Sequence, residues 1–420
     1  MTTADPTTLE LEAIRGLVAA DLPDYLDDLR RLVDLDCGSY TPAGVDEVGR
    51  WVAGFLVELG ADVDIRPDPS GRFANTVVGT FSGQPGGPRV VLIGHMDTVF
   101  DPGTAAERPF RIEEGIARGP GVTDMKSGLL AGLYALKAII AEVGGLPFER
   151  VTFIANPDEE VGSPSSSPHI RALAADADAA LVLECARANG DIVSARKGIL
   201  DTRLTVHGRA AHAGVEPEKG RSAIHEAARL VRDLHALNGR WPGVTVNVGV
   251  IRGGTRPNVV AERCELEVDV RATTSEGLDE VEAAVRAVAA ATKVPDVSVE
   301  ADVRVAWRPM EKLVRSGRLV EHAQDVGRRL GFEVRDAATG GASDANTTSG
   351  MGVPSLDGLG PIGGNDHSPA EYLEVDSVVP RTAMVAGLLL AIARDPEVLA
   401  WRDDDPRFAG HASSAPAGAG

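Results

Sequence analysis

Three apolar segments, separated by helical patterns, constrain the fold of this chain more than any other feature. They are RVVLIG (89–94), VTFIAN (151–156) and AALVLE (179–184). Continuous apolar runs of this kind are typical of strands that are buried on both faces. Between the first two, GLLAGLYALKAIIAEVGG (128–145) reads as a helix that ends at a glycine pair. This order predicts an α/β fold with a mixed, largely parallel sheet flanked by helices.

A different pattern occupies the middle of the chain and predicts an inserted domain. Between residues 197 and 306, four segments alternate apolar and polar residues as antiparallel strands do, and two helical patterns lie among them. We therefore expect an α+β domain of two helices on a four-stranded antiparallel sheet over 197–306. Residues 1–196 and 307–405 would form the other domain, and the small, polar residues of 406–420 would be a disordered tail.

The composition argues against several classes of function. The 420 residues include 62 acidic and 42 basic side chains, and the formal charge of −20 disfavours a general binder of nucleic acids. No apolar run approaches the roughly 20 residues of a membrane-spanning helix, and the N-terminus lacks the pattern of a secretory signal. The three cysteines include no C-x-x-C pair, so we expect a cytoplasmic protein without a disulfide framework.

Acidic and histidine side chains follow each of the predicted parallel strands. His95 and Asp97 follow the first, Glu159 and Glu160 follow the second, and Glu184 ends the third. In open α/β sheets, ligands bind beyond the carboxyl ends of the strands, so we expect these side chains to lie close together. Imidazole and carboxylate groups are the ligands of a divalent metal, zinc above all.

Two further candidates lie outside the predicted strands. Asp124 precedes the long helix in GPGVTDMKSG, and His367 lies in GGNDHSPAEY. Each candidate alone has an ordinary structural explanation, because Asp124 could cap the helix and a lone histidine is usually a hydrogen-bonded polar group. Their joint occurrence favours a metal site, whose charge would stabilise the adjacent acids Asp158, Glu159 and Glu160.

Six motifs together resemble one family of enzymes over nearly the whole chain. They are GHMDTV, GPGVTDMKSG, NPDEEVGS, VLECA, GRAAHAG and NDHSPAEY. The family is that of the dinuclear zinc exopeptidases and amidohydrolases, which includes glutamate carboxypeptidases, acetylornithine deacetylase and succinyl-diaminopimelate desuccinylase. PFRIEEGIARGPG and ATGGASDAN make the chain most similar to the bacterial glutamate carboxypeptidases. The resemblance implies a zinc-peptidase-like catalytic domain, an inserted dimerisation or lid domain, and a homodimer.

The resemblance assigns five metal ligands. They would bind two Zn²⁺ ions, for which Co²⁺ or Mn²⁺ could substitute. One ion would be held by His95 and Glu184, the other by Glu160 and His367, and Asp124 would bridge the two. A cis peptide is implied on the carboxyl side of the bridging aspartate.

The resemblance assigns catalytic roles to three more residues. Asp97 would orient His95, since a ligating histidine usually gives its other N–H to an acceptor. Glu159 would take the proton of the attacking water and deliver it to the leaving amine. His212 in GRAAHAG would stabilise the oxyanion across the dimer, although a hydrogen bond at a strand end would also explain it.

The proposed substrate contacts are Asn258, Arg271, Arg308 and Gly341. Arg308 would hold the terminal carboxylate of the substrate through its bidentate fork, and a surface ion pair is the alternative explanation. Gly341, next to Gly340, would allow close approach of the backbone to the substrate.

One departure from the family pattern follows the ligand Glu184. The chain has Cys185–Ala–Arg187 there, where many relatives have proline and a small polar residue. Arg187 would face either the substrate, where it would change specificity, or the solvent. For Cys185 we expect a structural role.

The resemblance implies a zinc-dependent hydrolase of a small-molecule substrate, which releases a C-terminal amino acid, glutamate first of all, from a peptidyl, folyl or N-acyl group. The alternatives are an N-acyl-amino-acid deacylase, a hydrolase of carbamoyl or amidino compounds, and a relative that binds metal without catalysis. A nucleotide site is disfavoured because GLGPIG (358–363) contains proline and precedes no helix. A serine hydrolase is disfavoured because the chain has no G-x-S-x-G.

Overall fold

The computed structural model describes residues 6–408, which divide into two units, each with its own hydrophobic core. The first unit contains the described residues up to Ser194, Lys312–Ala338 and those from Ser343 onwards, and the second contains Ala195–Glu311 and Thr339–Ala342. The second unit is wider than the predicted 197–306. It is wider because Arg196 and Met310 exchange two backbone hydrogen bonds of 3.0 Å, which join the segments that enter and leave it.

Sixteen strands lie within the described residues. They are β1 (Asp62–Arg66), β2 (Thr76–Ser82), β3 (Arg89–His95), β4 (Arg111–Glu113), β5 (Ile116–Arg118), β6 (Arg150–Asn156), β7 (Ala179–Val182), β8 (Ile192–Arg196), β9 (Gly198–His207), β10 (Thr245–Gly253), β11 (Arg263–Ala272), β12 (Ser298–Trp307), β13 (Asp336–Thr339), β14 (Ser355–Leu356), β15 (Gly363–Gly364) and β16 (Tyr372–Glu374).

Twelve α-helices lie within the same residues. They are α1 (Thr8–Ala20), α2 (Leu22–Val33), α3 (Pro42–Glu58), α4 (Thr104–Glu107), α5 (Ser127–Val143), α6 (Ser167–Ala174), α7 (Ala223–His235), α8 (Ser275–Ala290), α9 (Val314–Arg329), α10 (Asp344–Gly350), α11 (Val378–Arg394) and α12 (Pro396–Asp404).

The main sheet of the first unit has the strand order β1-β2-β6-β3-β7-β14. The neighbours β6, β3, β7 and β14 are parallel, whereas β1 and β2 form an antiparallel edge. All residues of β3 and β6 except the first of each are buried, because their apolar runs pack on both faces of the sheet. The prediction of a mixed, largely parallel sheet is confirmed.

Helices α5 and α11 form the centre of the core of the first unit. They pack against each other, and both are buried over most of their length. Helix α5 ends, as predicted, at the glycine pair, where Gly144 adopts the left-handed conformation (φ 78°) and donates to Ile140 O. Glycine suits this position because side chains with a Cβ rarely adopt that conformation.

The segment Val375–Arg394, which contains α11, is long and apolar enough to cross a membrane by length and composition alone. This finding corrects the expectation that no apolar run approaches the roughly 20 residues of a membrane-spanning helix. The apolar window of this segment is 78% buried inside the protein, which is the position of a core helix.

The second unit is an antiparallel sheet with helices, as predicted. Its strand order is β10-β11-β9-β12, all neighbours are antiparallel, and α7 and α8 pack on the sheet. Burial alternates along β11, because every second side chain faces the helices. Ser222 and Thr274 cap the two helices with their side-chain oxygens.

The first residues of the predicted disordered tail are ordered. Pro406–Phe408 forms a short 3-10 helix, in which the Asp405 carboxylate accepts a 2.9 Å hydrogen bond from Arg407 N. This ordering corrects the prediction for residues 406–408, and the remainder of the predicted tail lies outside the described residues.

Candidate active site

Three neighbouring parallel strands bring predicted ligands to one edge of the main sheet. β3 lies between β6 and β7. His95 is the last residue of β3, Glu184 lies two residues beyond β7, and Glu159 and Glu160 begin a 3-10 turn after β6. The carboxyl ends of parallel strands share one sheet edge, so these side chains converge.

His95, Asp124 and Glu184 form the first cluster. His95 Nε2 lies 3.1 Å from Asp124 Oδ1 and 3.8 Å from Glu184 Oε1. One ligand atom from each of the three residues lies within 4.8 Å of the others. The Asp124–Met125 peptide is cis, as the family resemblance implied.

Asp124, Glu160 and His367 form the second cluster. His367 Nε2 lies 3.1 Å from Asp124 Oδ2 and 3.1 Å from Glu160 Oε2. Asp124 therefore directs one carboxylate oxygen to each cluster, which is the geometry of a bridging ligand. His367 lies in the loop between β15 and β16 with a left-handed backbone (φ 60°).

Asp97 contacts His95, as predicted, and also holds the backbone of Glu159 and Glu160. Its backbone carbonyl, at 3.0 Å, is the nearer acceptor for His95 Nδ1, and its Oδ1 lies 3.4 Å from that nitrogen. The carboxylate instead accepts hydrogen bonds from Ser39 Oγ (2.6 Å), Glu159 N (3.1 Å) and Glu160 N (3.2 Å). Asp97 thus fixes the turn that carries two site acids and leaves His95 Nε2 for the cluster.

Negative charge dominates both clusters. Burial lowers the pKa of His95, but the carboxylates of Glu184 and Asp124 outweigh it and raise that pKa well above its usual value. Hydrogen bonds to Asp124 and Glu160 raise the pKa of His367 to about 11. Without metal, protons on the two imidazoles would balance part of this negative charge, and bound cations would balance it in their place.

The donor set fits two divalent cations. Each cluster offers one imidazole nitrogen and two carboxylates, and Asp124 is common to both. Imidazole and carboxylate together suit zinc, and they also accept cobalt or manganese. The five residues that converge are the five predicted ligands.

Glu159 lies beside the clusters without belonging to either. Its carboxylate accepts no hydrogen bond from any residue between 6 and 408, and its side chain is partly buried. Burial, followed by the charge of Glu184, raises the pKa of Glu159 well above its usual value. An unengaged carboxylate with raised proton affinity suits a general base.

Asp158, the first of the three adjacent acids, binds neighbouring serines and takes no part in the metal clusters. It is fully buried, and its carboxylate accepts hydrogen bonds from Ser166 Oγ (2.6 Å) and Ser165 N (2.5 Å). Burial raises its pKa to about 6. Asp158 therefore shapes the turn, and only the next two acids face the metal clusters.

Glu371 is a site residue that the sequence analysis did not assign, although it lies in the quoted motif NDHSPAEY. Its carboxylate is buried and accepts hydrogen bonds from the backbone N–H groups of Gly121 (2.9 Å), Thr123 (2.9 Å) and Asp124 (3.1 Å). One side chain from the His367 loop thus fixes the backbone of the bridging ligand. Burial raises the pKa of Glu371 to about 7.

Replacing Glu371 by glutamine is expected to weaken metal binding. A carboxamide has only one acceptor oxygen, so its NH₂ group would oppose a backbone N–H. We expect the affinity for the cations to fall by about 10- to 100-fold, measured by competition with a chelator. Glu374→Gln, three residues further along, is the matched control. Unchanged affinity in Glu371→Gln would contradict this role.

Asp344 also supports the segment that carries Glu159 and Glu160. It is buried at the first residue of α10, where it accepts hydrogen bonds from Ser163 Oγ (2.6 Å) and from Asn156 Nδ2. These two partners lie at the ends of the segment that carries Glu159 and Glu160. The sequence alone assigned no role to Asp344, because its buried partners are distant in sequence.

Five other predicted site residues lie in the second unit, namely His212, Asn258, Arg271, Arg308 and Gly341. His212 is exposed, and its Nδ1 accepts a hydrogen bond from Gly214 N at 3.2 Å. Asn258 is exposed, and its carbonyl accepts from Ala213 N at 3.0 Å. A local hydrogen bond was the alternative explanation for His212, and the structure contains one. The roles of His212 and Asn258 toward the substrate stay predictions.

The two predicted substrate arginines are engaged within the second unit. Arg271 binds Asp269 Oδ1 at 3.0 Å and donates to Gly340 O at 2.7 Å, and Arg308 binds Asp279 Oδ1 at 2.6 Å. The ion pair of Arg308 is the alternative that the sequence left open. Substrate binding by either residue stays a prediction.

The glycine pair at 340–341 is not required by crowding within the protein. A Cβ on Gly340 would meet no atom, and one on Gly341 would meet only Arg196 Nη1 at 3.7 Å. Neither glycine has a left-handed backbone. A close approach of this backbone to substrate stays a prediction.

Known proteins resemble this chain in sequence and in fold. Carboxypeptidase G2 from Pseudomonas sp. (strain RS-16) is 31% identical over 376 residues, which cover 88% of this chain and 89% of that protein. Acetylornithine deacetylase from Proteus mirabilis is 29% identical over 272 residues, which cover 60% of this chain and 67% of that protein. The aminopeptidase PepT structure from Bacillus cereus superposes with a TM-score of 0.72 at 23% identity, over 89% of this chain and 99% of that one.

The family model that describes peptidase family M20/M25/M40 matches residues 91–391. That range contains all five residues of the two clusters as well as Glu159. Family match, similarity to carboxypeptidase G2 and the paired clusters agree, so the chain belongs to peptidase family M20/M25/M40, whose members are metal-dependent enzymes that cleave peptide or amide bonds.

Proposed function

We propose that this enzyme binds two zinc ions and releases a C-terminal amino acid, glutamate in particular, from a peptidyl, folyl or N-acyl group. The observation that carries the proposal is the placement of Glu159 beside two clusters that share Asp124. The similarity to carboxypeptidase G2 supports the release of a C-terminal amino acid. The resemblance of PFRIEEGIARGPG and ATGGASDAN to the glutamate carboxypeptidases supports the choice of glutamate.

The residues of the first unit account for the proton transfers of amide hydrolysis. Two bound cations would supply Lewis acidity toward the scissile carbonyl and acidify the attacking water. Glu159 takes one proton from that water as its oxygen forms the bond to the carbonyl carbon. Glu159 then gives the proton to the amine nitrogen as the C–N bond breaks. The hydrogen bonds from the backbone N–H groups of Glu159 and Glu160 to Asp97 fix the position of the base, Glu159, relative to the ligand, Glu160.

A second candidate is an N-acyl-amino-acid deacylase, which the similarity to acetylornithine deacetylase favours. The same residues would perform the same steps, and only the side chain of the leaving amino acid would differ. The two candidates are therefore separated by substrate preference.

We also propose a cytoplasmic homodimer. The free state of Cys37, Cys185 and Cys264 agrees with a reducing compartment. In the second unit, β10 is an edge strand, and Ile251 on it is 50% exposed. An edge strand with an exposed apolar side chain is able to pair with a second copy, which light scattering would test.

A panel of substrates tests the proposal. Zinc-loaded protein would be offered N-acyl and peptidyl derivatives of glutamate, aspartate, ornithine and neutral amino acids, and the released amine would be measured. We expect chelator-sensitive release of glutamate above the others. Preference for ornithine or a neutral amine would instead support the deacylase, and absence of release from every member would contradict both candidates.

A further inference from the structure

An arginine with an unused donor lies beside the metal clusters. Arg187 follows the ligand Glu184 by three residues, and its partly buried side chain has no carboxylate within 4 Å among the described residues. Its Nε is buried and has no hydrogen-bond partner, and Nη2 makes only a 3.9 Å contact with Cys185 Sγ. Buried donors are rarely left unpaired unless a ligand or water completes them.

A matching aspartate lies on the other side of Cys185. Asp366 precedes the ligand His367, and its Oδ2 lies 3.9 Å from Cys185 Sγ. Its Oδ1 is buried and has no hydrogen-bond partner among residues 6–408. Arg187 and Asp366 do not form an ion pair in the described structure, so the thiol separates two opposite charges. Arg187 thus lies near Glu184 of the first cluster in sequence, and Asp366 lies next to His367 of the second cluster.

The backbone that carries Arg187 is rigidly held. Gly190 N donates to Arg187 O at 2.7 Å and Arg187 N donates to Asp191 O at 3.1 Å, which close a tight turn. Arg381, which is fully buried, donates to the carbonyl oxygens of Gly190 (2.9 Å) and Gly360 (3.0 Å). Gly360 N in turn donates to Glu184 O at 2.8 Å. Arg381 thus ties the Arg187 turn to the backbone of a metal ligand.

The contrast between the two arginines is informative. Arg381 uses Nε, Nη1 and Nη2 on three glycine carbonyls. Arg187 lies in the turn that Arg381 holds through Gly190. The Nε of Arg187 is nevertheless available to bind another group. A guanidinium in a fixed position presents a planar fork that matches a carboxylate.

We propose that Arg187 is a specificity residue that binds a second carboxylate of the substrate, one that is not needed for the amide hydrolysis itself. This inference rests on the proposed function and narrows its substrate class to dicarboxylic compounds. The carboxylate comes either from the side chain of the leaving amino acid, as in glutamate, or from the far end of the acyl group, as in a succinyl chain.

Matched pairs of substrates and products test this proposal. The first pair is an N-acyl-glutamate and the corresponding N-acyl-glutamine, and the second is an N-succinyl and an N-succinamoyl amino acid. For Arg187→Gln we expect kcat/KM to fall by about 10- to 100-fold for the charged member of one pair, mainly through KM. The neutral member would change by less than about threefold, and Arg187→Lys would recover part of the loss. The pair that responds identifies the source of the carboxylate.

Calorimetry supplies a readout that does not depend on turnover. Zinc-loaded protein would be titrated with glutamate and glutamine, and with succinate and succinamate. We expect tighter binding of one dicarboxylate than of its amide, and loss of that difference in Arg187→Gln but not in Arg66→Gln. Arg66 is a suitable control because it is also partly buried and lies on β1, the edge strand remote from β7.

The outcomes separate this inference from the proposed function. If wild-type protein releases no amino acid, the calorimetric difference still supports or overturns the role of Arg187. If it releases amino acids but treats charged and neutral members alike, the role of Arg187 is overturned and the hydrolase stands. Equal losses for both members in Arg187→Gln would also overturn it, since they would show a structural defect.

Discussion

Replacing Glu159 by alanine is expected to reduce kcat by about 10²- to 10⁴-fold while both cations remain bound. The expectation follows from its position, because Glu159 is not one of the five cluster residues and its carboxylate is unengaged within the described chain. Its backbone N–H still donates to Asp97 in the variant, so the turn that carries Glu160 would be kept. Elemental analysis and turnover of the same sample measure the two quantities together.

Glu160→Ala is the matched control for this prediction. Glu160 is the adjacent residue but lies 3.1 Å from His367 in the second cluster. We expect this variant to lose one cation as well as activity. If Glu159→Ala kept activity within about tenfold of wild type, or if it lost a cation as Glu160→Ala does, the assignment of the general base would be wrong.

Replacing Asp124 by alanine is expected to abolish binding of both cations. Asp124 is the one residue that belongs to both clusters, with Oδ1 at 3.1 Å from His95 and Oδ2 at 3.1 Å from His367. We expect each affinity to fall by more than about 100-fold, beyond the range caused by changes outside the ligand set. Titration of metal-free protein in a calorimeter would show the loss.

Glu184→Ala distinguishes a bridging role from a general loss of structure. Glu184 belongs to the first cluster alone, so this variant is expected to retain one cation-binding site of nearly unchanged affinity. Retention of one tight site in Asp124→Ala would show that the carboxylate does not bridge. The thermal unfolding temperature of both variants without metal serves as the control for folding.

The parts of the site that could be predicted from sequence are those fixed by strand ends. The apolar runs determine β3, β6 and β7, and the residues that follow them must meet at one sheet edge, which brings His95, Glu160 and Glu184 together. Asp124 and His367 lie in loops, and the resemblance to a family was needed to assign them. The alternation of apolar and polar residues along β9 to β12 was likewise enough to predict the antiparallel sheet of the second unit.

The parts that could not be predicted depend on contacts between distant residues. Glu371 is separated from Thr123 by 248 residues, and no local pattern shows that its carboxylate accepts three backbone hydrogen bonds. The same holds for Asp344 and Ser163, which are 181 residues apart. Asp97 was predicted to orient a histidine, but only the structure shows that its carboxylate also holds two backbone N–H groups.

The most direct test of a two-cation hydrolase is a titration of metal-free protein with Zn²⁺ while glutamate release from an N-acyl-glutamate is followed. Two clusters that share Asp124 predict no release without metal and full activity only at two equivalents of zinc. Hydrolysis by the metal-free protein, or full activity without any second binding event, would contradict the account.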